Sequence, residues 1–324
     1  MQAAVQAHQL AKRYGAVEAV RGIDLDVAPG EAFGFLGPNG AGKSTTLAML
    51  TTLTAPSAGS ARVGGYDVVN ERDAVRRHIG LVFQETTLDG YLSAEQNLRF
   101  HAELHGLSKV AVAGRMRSLM QTMGLWERRG ALVRTYSGGM KRRLEIVRAL
   151  LHAPRVLFLD EPTLGLDPQA RAAIWAHLRT LRECEQVTVF MTTHYLDEAE
   201  CCDRIAIVDD GRIVVEGAPH ALKTQIGHDR IRLSTVDDGV ARSALKARFG
   251  LDAKPEDDGL VFAVQDGEHF VPRLCTGLGV PIRRVSVDRP TLDDVFLAHT
   301  GTTLRDAQAS AHERARSAPM GRPR

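Results

Sequence analysis

Apolar residues gather into a few short continuous runs, set between longer stretches of helical spacing. The runs EAFGFLG (31–37), IGLVFQ (79–84), RVLFLD (155–160), VTVFMTT (187–193) and RIAIVDD (204–210) are short for helices. Their unbroken apolar character fits strands buried on both faces rather than strands with one wet face. Residues 1–36 read as short strands joined by turns. A helix is expected from about Lys43 to Leu53, and 93–153 is almost wholly helical in pattern. Ser93 and Gln96 are spaced as a capping box, and Met116, Leu119, Met120 and Met123 form a stripe suited to a core. A further helix begins at Pro168. Strands alternating with helices predict an α/β fold around a mostly parallel sheet covered on both faces.

After Gly227 the pattern changes. It predicts a strand near 229–235, a helix near 238–249, strands near 251–255 and 259–265, a helix near 267–278 and a strand near 282–287. That β-α-β-β-α-β order suggests a small α+β domain of ferredoxin-like type over 228–300. A short helix in PTLDDVFLAHTG precedes an Arg-rich polar tail, 301–324, too poor in apolar residues to be expected to fold. The expected organisation is thus a domain over 1–227, with a helical subdomain at 85–153, followed by the smaller domain and the tail.

Composition adds exclusions. The 324 residues carry 41 basic and 39 acidic side chains, so no general positive field suggests nucleic acid as partner. No apolar run approaches the ~20 residues that cross a bilayer, and the N-terminal stretch lacks the apolar core of a secretion signal. The cysteines Cys184, Cys201, Cys202 and Cys275 have no metal-ligand spacing and read as reduced packing residues. A cytoplasmic protein is expected.

The chemistry concentrates in a few places. GPNGAGKST, 37–45, has the form G-x-x-x-x-G-K-[ST] in Gly37, Gly42, Lys43 and Ser44, and it joins a strand to a helix. In that context the backbone N–H groups of Gly37, Pro38, Asn39, Gly40, Ala41 and Gly42, proline excepted, curl around phosphates. Lys43 reaches the terminal phosphates, the Ser44 hydroxyl is a ligand for Mg²⁺, and Thr45 follows it. RVLFLDEP delivers Asp160 and Glu161 at a strand's C-terminal end, the edge at which open α/β sheets hold ligands. Asp160 is then placed to hold Mg²⁺ and Glu161 to orient or deprotonate water. Gln84 and His194 end neighbouring strands, where the first could reach metal or water and the second a terminal phosphate. Finally, TYSGGMKRR, 135–143, begins a helix with Ser137 as N-cap, two glycines and three cations. Glycine permits close approach and a helix start favours an anion, whereas a solvated basic helix start is the plainer account.

In order and approximate spacing these motifs resemble the ATP-binding subunit of ABC transporters over residues 5–225. Tyr14 corresponds to the aromatic residue that stacks on adenine, Gly37–Thr45 to Walker A and Gln84 to the Q-loop. Tyr136–Met140 correspond to the signature, Val156–Glu161 to Walker B, Leu164–Asp167 to the D-loop and His194 to the switch histidine. Tyr136 and Met140 replace the more usual Leu and Gln, and Gly165 replaces Ala, while the central Ser137-Gly138-Gly139 is intact. YSGGM, TTHYLDEAE and PTLDDVFLAHTG are similar to the daunorubicin-resistance branch of export ATPases.

The resemblance implies ATP and Mg²⁺ as cofactors and a P-loop ABC ATPase fold with an N-terminal antiparallel β subdomain. It implies a separate membrane permease and attachment through it to the inner face of the cell membrane. It also implies a homodimer in which Ser137, Gly138, Gly139 and Asp167 face the nucleotide of the other chain. An importer ATPase shares the cassette motifs but not the C-terminal domain. A soluble ABC ATPase acting on DNA or ribosomes would need either a long coiled coil between Lys43 and Ser137 or two cassettes per chain, and neither is present.

Overall fold

The computed structural model describes residues 3–256, 259–304 and 306–307. It divides into two compact units, the chain up to Pro219 and His220–Thr303. The division falls after Pro219 rather than after Gly227, and the expected tail from 308 onward lies outside the described residues.

The first unit opens with β1 (Val5–Tyr14) and β2 (Val17–Val27), followed by β3 (Ala32–Leu36), α1 (Lys43–Leu50), β4 (Ala58–Val63) and β5 (Tyr66–Asp67). α2 (Arg72–His78) leads into β6 (Ile79–Val82). Next come α3 (Ala94–Leu104), α4 (Lys109–Thr122) and α5 (Gly138–Leu150), with 3₁₀ turns at Trp126–Arg128 and Val133–Thr135. β7 (Val156–Asp160), α6 (Pro168–Glu185), β8 (Thr188–Thr193), α7 (Leu196–Ala199), β9 (Arg204–Asp209) and β10 (Arg212–Gly217) complete it.

Two sheets result. One is antiparallel, in the order β2-β1-β4-β5. The other has the order β10-β9-β3-β8-β7-β6, parallel throughout except for the antiparallel edge strand β10. Every residue of β3 and β8 is buried, which is why those runs carry no alternation. α1 lies between the sheets, and Leu47, Met49 and Leu50 join Leu10 and Ile23 on one side to Phe33, Phe158 and Phe190 on the other. Phe190 stacks on Phe33 with ring centroids 5.6 Å apart and meets Phe158 at 5.4 Å. This packing anchors the helix that carries Lys43.

The N-terminal strands are longer than the sequence suggests, because β1 and β2 form one extended hairpin. α1 stops at Leu50 rather than Leu53, where Thr52 adopts φ 64° and leaves the helical region. The α3 capping box is present, with Ser93 and Gln96 exchanging hydrogen bonds, and Met116, Leu119, Met120 and Met123 are buried. Cys202 is buried, but Cys184 and Cys275 are exposed free thiols and do not pack.

The second unit contains α8 (Pro219–Ile226), β11 (Asp229–Thr235), α9 (Asp238–Ala244, continued by a π turn Leu245–Phe249), β12 (Lys254–Glu256) and β13 (Gly259–Val264). α10 (Gly267–Gly277), β14 (Ile282–Asp288) and α11 (Leu292–Thr300) follow. Its antiparallel sheet has the order β12-β13-β11-β14, so the first and third strands of the unit are central and the second and fourth form the edges, as a ferredoxin-like fold requires. Ile231, Leu233, Leu245, Phe262 and Leu274 form its core. Among the described residues no helix is long and apolar enough to cross a membrane.

Candidate active site

β3 ends at a close passage. The Gly37 N–H donates to Thr193 O at 3.2 Å, and a Cβ at Gly37 would lie 2.2 Å from the Val208 carbonyl oxygen. Only glycine fits there without moving the central sheet. The loop is fastened from the other side by Gly211, whose N–H donates to Ala41 O at 3.1 Å. α1 then begins with no side-chain cap, so its first N–H groups face the loop as an anion-binding helix start.

Lys43 is buried. Its Nζ donates to Gly37 O at 2.8 Å and Pro38 O at 3.0 Å, and it sits 3.6 Å from Glu161 Oε1. Burial lowers its basicity, an effect opposed by the Glu161 carboxylate. Ser44 Oγ donates to Asp160 Oδ1 at 3.3 Å, and Thr192 Oγ1 donates to the same oxygen at 2.5 Å. Thr192 is thus a further residue of the site, signalled only by being a polar residue inside an apolar strand.

Glu161 follows β7 with φ 44°, a left-handed conformation that a residue with a side chain seldom adopts. Its N–H is held by Thr192, donating to the carbonyl at 3.2 Å and to Oγ1 at 3.1 Å. Its Oε1 lies 3.2 Å from His194 Nδ1. Burial works to raise the Glu161 carboxyl, but the His194 hydrogen bond and the Lys43 charge outweigh it and hold the group below its ordinary value. Lys43, Glu161 and His194 therefore stand together as one cluster in the chain on its own.

Tyr14, Asn39, Gly40, Gly42, Lys43, Ser44, Thr45, Gln84, Glu161 and His194 line a single cavity of about 720 Å³. Asp160 stands behind Ser44, while Gly37, Pro38 and Ala41 are buried in the loop itself. Tyr14 is half exposed at the rim with the Lys12 ammonium 5.0 Å from its ring. Ser137, Gly138, Gly139 and Asp167 are not brought to this cavity. Ser137 caps α5, its Oγ accepting from Met140 N at 3.3 Å, and Asp167 caps α6, accepting from Ala170 N at 2.8 Å. Cβ atoms built on Gly138 and Gly139 would meet Leu166 and Ala170 at 3.2 and 3.3 Å. The signature stretch therefore packs on the D-loop and α6 of its own chain.

The departures from the family pattern have local reasons. Tyr136 is buried and donates its hydroxyl to Arg128 O at 2.8 Å. Gly165 adopts φ 72°, a conformation that glycine enters without strain. The basic run is not a solvated face. Arg143 donates to Met123 O at 2.9 Å, and Arg142 is buried. Arg142 donates to the carbonyls of Pro162 (2.5 Å), Asp160 (2.9 Å), Glu161 (3.1 Å) and Phe83, and to Glu145 at 3.2 Å. It ties α5 to both carboxylate positions and to the residue before Gln84. The signal for it was a pair of charged residues, Arg142 and Glu145, on the face of α5 that Ile146 and Ala149 show to be apolar. Glu198 is a second buried carboxylate nearby, accepting from Thr163 and, at 2.6 Å, from Thr193.

Comparison with known proteins agrees with this geometry. Residues 20–164 match the family model of the ABC transporter, and 217–300 match that of the ATP-binding protein DrrA1-3-like, C-terminal domain. The chain is 40% identical to the daunorubicin/doxorubicin resistance ATP-binding protein DrrA of Streptomyces peucetius, over 94% of each chain. It is 38% identical to the linearmycin resistance ATP-binding protein LnrL of Bacillus subtilis, over 93% of this chain and all of that one. Among solved structures, an ATP-binding subunit of an ABC transporter aligns with TM-score 0.61 and 30% identity, covering 68% of this chain and 92% of that one. A dimeric ATP-binding cassette in a post-hydrolysis state, bound to ADP and Pi, aligns with TM-score 0.59 and 27% identity, covering 66% and 98%. A nucleotide loop on the central sheet, followed by a ferredoxin-like unit of this kind, makes the chain an ATP-hydrolysing, ATP-binding subunit of the ABC transporter family, homologous to the ATPases of drug resistance.

Proposed function

We propose that this chain powers export of a drug-like or other hydrophobic compound through a separate ABC-type permease, at the inner face of the cell membrane, with two copies of the ATPase in the complex. The observation that carries the catalytic part is the convergence of Lys43, Ser44, Glu161 and His194 on one cavity, with Asp160 behind Ser44. Export rather than import is favoured by the DrrA-like C-terminal unit.

The donor set suits Mg²⁺ and a nucleoside triphosphate. The Ser44 hydroxyl and the Asp160 carboxylate are adjacent hard oxygens, Gln84 shares their cavity, and the loop offers N–H groups where a side chain at Gly37 would collide. Mg²⁺, when bound, supplies charge neutralisation on the phosphates. Lys43 adds a buried positive charge, and Tyr14 offers an aromatic face at the rim. Glu161 orients and deprotonates the attacking water, and its ionised state suits it as a base. His194 holds that carboxylate in place. Ser137, Gly138, Gly139 and Asp167 serve the other copy's nucleotide, a reading supported by their place outside the cavity of their own chain. Around the α3–α4 region, Tyr91, Phe100, Leu104 and Val110 are exposed apolar side chains, and this region, 85–125, is where the permease docks.

Glu161→Gln tests the catalytic assignment. Loss of general-base help lowers hydrolysis by about 10²–10⁴-fold, while ATP binding is retained, measured by turnover and by equilibrium binding on the same preparation. Hydrolysis near the wild-type rate would remove Glu161 from the mechanism.

A further inference from the structure

Three imidazoles meet outside the nucleotide cavity. His101 and His105 lie one turn apart at the C-terminal end of α3, and His152 follows α5. One nitrogen from each lies within 4.8 Å of the other two. The His105 ring stacks on His152 with centroids 4.2 Å apart and 13° between planes, and His101 is 4.6 Å from His105.

The hydrogen bonding around the cluster leaves ligand atoms over. His152 Nε2 lies 2.8 Å from Ile79 O. A carbonyl only accepts, so Nε2 carries the proton and Nδ1 presents a lone pair. That Nδ1 and His101 Nε2 are both fully buried with no hydrogen-bond partner among the described residues, whereas buried nitrogens are ordinarily paired. The carbonyl–imidazole pair is also the arrangement that orients a metal-binding histidine. Nearby basic side chains are already engaged. Arg115 donates to Leu150 O and pairs with Glu185, Arg148 donates to Thr87, and His78 Nδ1 contacts Ala74 O. Burial lowers the basicity of all three rings.

We propose that His101, His105 and His152 form a binding site for one divalent metal ion of borderline softness, Zn²⁺ by the chemistry of three imidazoles, which fastens α3 and the end of α5 to β6. Three histidines leave a fourth tetrahedral position for water. With Zn–N bonds of about 2.0–2.1 Å the ligand nitrogens must draw together to about 3.3 Å. His105 is exposed and has room for that movement.

The test uses the full chain, stripped with a chelator and titrated with Zn²⁺ alone against a competing chromophoric chelator. One Zn²⁺ per chain is expected, and His105→Gln should weaken it at least tenfold. The same variant should melt as wild type does without metal, and should lose the rise in Tm that Zn²⁺ gives wild type. Asp160→Asn and a Cys184→Ser, Cys275→Ser double variant should bind Zn²⁺ as wild type does. Unchanged affinity in His105→Gln, or loss of binding in the Asp160 or cysteine variants instead, would overturn the proposal.

Discussion

Glu198 shows what a single side chain adds to the pH behaviour of the fold. It is fully buried between Thr163 and Thr193, and burial pushes its carboxyl from 4.5 up to about 7, against the opposing hydrogen bond from Thr193. Between those two values the folded chain holds a proton that the unfolded chain has lost. The resulting stability is fully present below the unfolded value and is lost as pH rises through the folded one. Glu198→Gln removes this dependence, so its stability relative to wild type should improve from pH 5 to pH 8 by up to roughly 3 kcal/mol. Urea unfolding at the two pH values measures it, and parallel profiles would mean that Glu198 is ionised in the native chain. At this scale the sequence was informative where a motif fixes backbone and side chain together, as for Lys43 and Ser44. Thr192 and Glu198 were not legible, because their roles depend on which strand end each comes to face.

Arg142 sets the corresponding question for an element. Its guanidinium serves four backbone carbonyls from two other segments, a task that needs a planar fork of donors. Lysine has a single donor atom and would leave buried acceptors unsatisfied. Arg142→Lys should therefore lower stability by about 2–4 kcal/mol, read as a shift in the denaturant midpoint. It should also reduce hydrolysis more than ATP binding, since it loosens the backbone at Asp160 and Glu161. A variant as stable as wild type would show that α5 is held by its apolar face alone. The core strands were legible because burial on both faces leaves unbroken apolar runs, and the β-α-β-β-α-β unit because its turns interrupt the pattern cleanly. The long N-terminal hairpin and the division of 93–153 into three helices were less so. β-Bulges in β1 and the 3₁₀ turns between α4 and α5 answer to tertiary contacts rather than to local period.

For the whole molecule, the separation of Ser137 from its own chain's cavity makes the proposed pairing of two copies testable. In a mixed dimer with Lys43→Ala on one chain and Ser137→Asp on the other, a shared site receives both defects and leaves the second site whole. With both changes on one chain and a wild-type partner, each site carries one defect. Nucleoside triphosphate binding should therefore persist at one site in the first dimer and be impaired at both in the second. The reverse result would assign each signature to its own chain's nucleotide. Aspartate is the informative replacement at Ser137, since it caps a helix as well as serine does and adds only a repelling charge.

The cap itself has one more consequence. Ser137 Oγ spends a lone pair on the Met140 N–H, beside helix-start N–H groups that have no intrahelical acceptor. On the proposed pairing, a lone folded copy presents this stretch in a shape settled when α5 formed. If two copies pair as proposed, recognition at that face needs no reordering of the helix, and the rate of assembly is set by how often two loaded copies collide in register.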